Sequence, residues 1–78
     1  MERETAMEEI DKALQHVARC SFDDPAQSLK DDLGLDSLER IELMIELEKN
    51  IPGLKISDEQ ASDAKTIEDV IALIVDNS

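Results

Sequence analysis

What most constrains the fold is the spacing of apolar residues, which keeps a helical period in separate stretches of the chain. Met7, Ile10, Leu14 and Val17 stand three or four residues apart and share one stripe of a helix predicted from Thr5 to Ala18. Ala6 and Ala13 border that stripe, while Glu8, Glu9, Asp11 and Lys12 take the wet side. Ile67, Val70, Ile71 and Ile74 form a second stripe on a last helix from Thr66 to about Asp76, with Thr66 as its cap and Glu68 and Asp69 at its positive end. Between them, a helix is predicted to open at Asp36 and end near Asn50, closed off by Pro52-Gly53. A short helix follows from Ser57 to about Asp63.

The segment from Arg19 to Leu35 breaks this periodicity. Ser21, Asp23-Asp24-Pro25 and Ser28 are turn formers, and Pro25 turns Asp24 away from helix. Phe22, Leu29, Leu33 and Leu35 are the residues that would pin so long a loop, and Gly34 supplies a backbone conformation other residues resist. The expectation is all-α: a four-helix bundle with three longer helices and one short third helix, up-down, with a long first loop. Its 78 residues suffice for one domain, residues 1–78, and no more. Phe22 is the sole aromatic, so the core must be aliphatic, which suits packed helices better than a sheet.

Composition narrows the function classes. Twenty acidic against eight basic residues give a net charge of −12, which repels nucleic acid and anionic membrane and draws basic protein patches. Disorder is the competing reading of such charge, and the helical periodicity argues against it. No apolar stretch approaches the roughly 20 residues needed to cross a bilayer, so no membrane insertion is expected. Met1-Glu2-Arg3-Glu4 has neither the basic start nor the apolar run of a signal peptide, so a cytoplasmic location is the expectation.

Chemistry borne by the chain itself finds little footing. His16 is the one histidine and lies on the first helix, far along the chain from Ser37, so it reads as a surface residue and not a general base. Cys20 is the one cysteine, read as a half-buried small side chain. Neither Asp23-Asp24 nor Asp31-Asp32 opens a calcium loop with its central glycine and closing glutamate. No catalytic or metal-ligating residue is assigned, and the chain is expected not to be an enzyme.

The second helix carries too much apolar surface for one core. On a wheel of about 100° per residue, Leu43, Met44, Leu47 and Ile51 make one arc and Leu38, Ile41 and Ile45 another. Glu39, Glu42 and Glu46 lie beside the second arc, and Glu48 flanks its other edge. Either the third helix covers this arc, or it is an exposed strip with an acidic rim that docks basic partners. Arg40 projects into the core arc at the first turn and must snorkel to the helix end or pair with an acid.

Asp32-Leu33-Gly34-Leu35-Asp36-Ser37-Leu38 is the most informative run. Asp36 is a good N-cap and Glu39 sits where it can reach back, a capping box that puts Ser37 at the first helical position. A phosphate diester on that hydroxyl would sit at the positive end of the helix, although Asp36 weakens the electrostatic case. By physics alone, ordinary capping is the commoner explanation of Asp-Ser here, and spacing and charge do not prove modification.

This run, with Glu42-Leu43, Leu47-Glu48 and the Thr66-Ile67-Glu68-Asp69 that opens the last helix, resembles the acyl carrier proteins over essentially the whole chain. The resemblance implies that a phosphopantetheinyl transferase joins 4'-phosphopantetheine from coenzyme A to Ser37. The arm's thiol would then hold acyl intermediates as thioesters for acyl-transferring and chain-elongating enzymes of fatty-acid or related acyl biosynthesis. It implies that Asp36, Leu38, Ile41, Glu42 and Ile45 meet the basic docking patches of those partners, with Glu39 and Glu48 in the same acidic surface, and that the acyl cargo shelters between helices; a monomer is expected. Leu47, Met44, Ala61, Ala64 and Ile71 are the expected lining. Arg40, Lys49, Ala64 and the stretch Ile51-Pro52-Gly53-Leu54-Lys55-Ile56 depart from the family pattern. Specialised polyketide or aminoacyl cargo, or an unmodified acidic interaction module, are the alternatives.

Overall fold

The computed structural model describes residues 1–77, which form four helices: α1, Arg3–Ala18; α2, Ser37–Asn50; α3, Asp58–Asp63; and α4, Ile67–Asn77. The architecture is the small helical bundle expected, with the short helix third. Helix α1 packs against both α2 and α4, and α3 packs against α2. The buried aliphatic side chains of all three longer helices, of the first loop and of the turns around α3 join in one core.

Helix α1 begins two residues earlier than its stripe suggested, because Glu2 takes the cap position without a side-chain hydrogen bond and the helix extends to Arg3. Its buried residues are Ala6, Ile10, Ala13 and Leu14, so the two alanines lie inside the core and Met7 and Val17 at its margin. The physical reason is close approach. Small alanines let α2 and α4 settle against the helix, turning its buried stripe toward them. The helix ends at Arg19, held in the left-handed region at φ 53°.

The long loop is anchored as its apolar residues required. Leu29 and Leu35 are buried, Phe22 and Leu33 half-buried. Its backbone is also stitched to the turn before α4, which the sequence pattern did not reveal. Ser28 and Thr66 form an isolated antiparallel bridge; the Leu29 N–H donates to Lys65 O at 2.8 Å and the Ile67 N–H to Gln27 O at 3.1 Å. Thr66 caps α4 reciprocally with Asp69: the Asp69 N–H donates to Thr66 Oγ1 at 3.2 Å, and the Thr66 N–H to Asp69 Oδ2 at the same distance. Ser57 and Gln60 form the matching box on α3. These local bonds fix where α3 and α4 start.

Candidate functional site

Ser37 is positioned by the end of the first loop and by the cap of α2. Leu35 is buried and its N–H donates to Leu29 O at 2.9 Å, which nails down the end of the loop. Gly34, at φ 72°, makes the reversal just before it, a conformation that would strain a residue with a Cβ. Asp36 then caps α2: the Glu39 N–H donates to Asp36 Oδ1 at 2.8 Å, and the Asp36 N–H to Glu39 Oε1 at 3.2 Å. Because Asp36 does the capping, the hydroxyl of Ser37 is left over. Ser37 is the first helical residue and it is exposed, among N–H groups that α2 leaves without intrahelical partners.

A cleft of about 260 Å³ opens beside it, between α2 and the α3 region. Ser37, Arg40, Ile41, Met44, Ile45 and Glu48 line one side; Ile56, Asp58, Ala61 and Ser62 line the other. Of the cargo lining expected from sequence, Met44 and Ala61 face this cleft. Leu47, Ala64 and Ile71 do not: they are at most 3% exposed and belong to the closed core. The charged lining, Arg40 and Asp58 above all, was missed, although the place of Arg40 in the core arc was its signal.

The second apolar arc of α2 is uncovered. Leu38, Ile41 and Ile45 are 64%, 53% and 58% exposed, whereas Leu43, Met44, Leu47 and Ile51 are buried. Helix α3 cannot reach across, since it has only 6 residues and meets α2 along the cleft. The acids around the strip differ in freedom. Glu42 is exposed. Glu39 is engaged in the capping box, Glu46 faces His16 of α1 at 3.6 Å, and Glu48 accepts from the Ile56 N–H at 3.3 Å. Their negative charge still borders the strip, but only Glu42 is uncommitted among these four.

The remaining reactive groups lie elsewhere. His16 is a surface residue on α1, as expected, its ring beside Glu46 and not beside Ser37. Cys20 is half-buried against the core; burial first, and then the Glu39 and Asp11 carboxylates, push its thiol pKa up, which disfavours a reactive thiolate. Among the described residues no helix is long and apolar enough to cross a membrane.

Bundle and site together define a small helical protein that presents one serine at a helix head, between an open cleft and an exposed apolar strip. A family model described as "Phosphopantetheine attachment site" matches residues 8–74. The chain is 46% identical over 65 residues to an acyl carrier protein of Phytoplasma australiense, across 78% of this chain and 84% of that one. It is 33% identical over 79 residues to an acyl carrier protein of Coprothermobacter proteolyticus, across 99% and 95%. It is 48% identical over 48 residues to that of Exiguobacterium sibiricum, across 62% and 60%. The chain belongs to the acyl carrier protein family.

Proposed function

We propose that the Ser37 hydroxyl is the attachment point of a 4'-phosphopantetheine arm and that the protein carries acyl groups as thioesters between enzymes of fatty-acid or related acyl biosynthesis. The observation that supports this best is the exposure of Ser37 at the first position of α2, spared from capping by Asp36. The surroundings fit such an arm. A phosphodiester on Oγ would lie at the N–H-rich end of the helix, and the cleft beside it has room for part of a chain. In the loading step a transferase lets Ser37 Oγ bond to the pantetheine-side phosphorus of coenzyme A as the bond from that phosphorus to the bridging pyrophosphate oxygen breaks. The serine proton passes to a base of the transferase and adenosine 3',5'-bisphosphate leaves. The arm supplies what the chain lacks, a thiol on a long flexible tether.

The chain's own residues bind and shelter. Leu38, Ile41 and Ile45 form the apolar centre of a docking face, and Asp36, Glu39, Glu42 and Glu48 give it a negative border that steers partners with basic patches. Steering raises the encounter rate without tight binding, which a carrier that must leave each partner requires. Met44, Ile56 and Ala61 offer apolar wall to cargo, whose burial is worth about 0.8 kcal/mol per CH₂. On this reading the protein is a cytoplasmic, monomeric carrier that catalyses nothing itself.

Incubation with coenzyme A and a permissive phosphopantetheinyl transferase, followed by intact-mass measurement, tests the proposal. Wild type should gain one phosphopantetheine, and Ser37→Ala should gain none while keeping its helicity. If several competent transferases leave wild type unmodified, the strip on α2 is instead the face of an unmodified interaction module.

A further inference from the structure

Arg40 is the residue of the cleft that the fold leaves unexplained. It sits three positions after Ser37, and the two side chains line the same cleft. Residues three apart on a helix are surface neighbours. The chain has 20 acids, and two of them, Glu48 and Asp58, line this cleft as well. Yet among the described residues none of the ion pairs includes Arg40. Its Nε is buried and has no hydrogen-bond partner. A buried donor without an acceptor is a cost the fold bears, and in a guanidinium it is a charged donor. Glu48, the acid that shares its helix face, is already engaged by the Ile56 N–H.

An acceptor on Ser37 would relieve that cost. We propose that Arg40 anchors the phosphodiester of the arm, its guanidinium hydrogen-bonded to the phosphate oxygens carried on Ser37 Oγ, so that loading fixes the root of the arm at the mouth of the cleft. This rests on Ser37 bearing the arm. Three features of the site converge on the phosphate as the occupant. It is tethered one helical turn from Arg40, so its effective concentration is high whatever cargo the thiol holds. A planar guanidinium presents donors in a fork that matches phosphate oxygens. The phosphate is the one strong anion that loading adds, and it comes to the side of α2 where the protein's own acids leave Arg40 unpaired. With its root held, the arm starts along the cleft between Met44 and Ala61 and not out into solvent.

The test is a thermodynamic cycle of wild type and Arg40→Met in apo and loaded forms, each followed by denaturant unfolding, with loading checked by intact mass. In the apo form Arg40→Met removes an orphaned donor and keeps the packing of the stem, so it should be neutral or stabilising. In the loaded form it should lower the folding equilibrium constant, by about tenfold relative to its effect on the apo protein. Arg40→Lys, a point charge without the fork, should fall between the two. The phosphorus resonance of the loaded protein should shift in Arg40→Met. A purely structural arginine would cost the same in both forms and leave the phosphorus resonance in place; either result overturns the anchor while the Ser37 reading stands. Failure of wild type to load at all would instead overturn the Ser37 reading and the anchor with it.

Discussion

Arg19 and Asp36 mark where α1 stops and α2 starts. Arg19 closes α1 in the left-handed region at φ 53°, where a Cβ costs about 1–2 kcal/mol and glycine costs nothing comparable. Arg19→Gly should therefore stabilise the protein by about 0.5–1 kcal/mol in a denaturant titration, after the extra freedom glycine has when unfolded is subtracted. Asp36 combines a cap with a charge. Asp36→Ala should cost about 1 kcal/mol through the lost cap, whereas Asp36→Ser keeps a capping oxygen and should leave the unfolding midpoint nearly unchanged. If transfer by a partner enzyme slows in Asp36→Ser while its stability holds, the carboxylate serves docking as well as folding; unchanged transfer would make it a cap alone. Asp36, Ser37 and Glu39 were legible in the sequence because a capping box is closed within four residues. The strained end at Arg19 was not, since nothing in an arginine announces a left-handed conformation that its neighbours impose.

At the scale of an element, α2 is a helix with two apolar faces and one core to bury them in. Leu43 and Leu47 are fully buried, while Ile45 is 58% exposed. Leu47→Ala should cost about 2–5 kcal/mol, the usual range for an aliphatic cavity. Ile45→Glu should change stability by less than about 0.5 kcal/mol but sharply impair acyl transfer by partner enzymes. A large loss of stability in Ile45→Glu would mean that the strip is covered. The helical wheel separated the two arcs of α2 and could not say which one stays open. That depends on the length and path of α3, a matter of tertiary packing. For the same reason the cleft lining was only half legible. Met44 and Ala61 face it, but Leu47, Ala64 and Ile71 close the core behind it, and the register between α2 and α3 that decides this is not written in either helix alone.

For the whole molecule, a net charge of −12 acts at long range while a few ties hold the chain together. Partner association should slow steeply as salt is raised through physiological ionic strength, because the steering field is screened within about 8–10 Å there. One tie has a defined pH signature: Arg3, at the start of α1, pairs with Glu68, at the start of α4. The hydrogen bond from Arg3 holds the Glu68 carboxyl below its ordinary range. Its folded pKa thus lies below the unfolded one, so its contribution to stability is present above the ordinary carboxylate range and is lost as pH falls through the lowered value. Both partners are exposed, so salt should erase the effect. The thermal midpoint of Arg3→Gln should accordingly converge on that of wild type at low pH or high salt, and a gap that persists there would point to packing by the Arg3 stem. Fold class and the order of the helices were readable from periodicity and capping residues, but the bridge between Ser28 and Thr66 and the Arg3–Glu68 tie join positions far apart in the chain and left no local trace. On the proposed function, this architecture holds the Ser37 hydroxyl exposed at the head of α2, in reach of a modifying enzyme. The most direct test is fragmentation mass spectrometry of the loaded protein, which locates the added group residue by residue. Phosphopantetheine should be found on Ser37 alone; its appearance on Ser62 across the cleft, or on any other hydroxyl, would contradict the account.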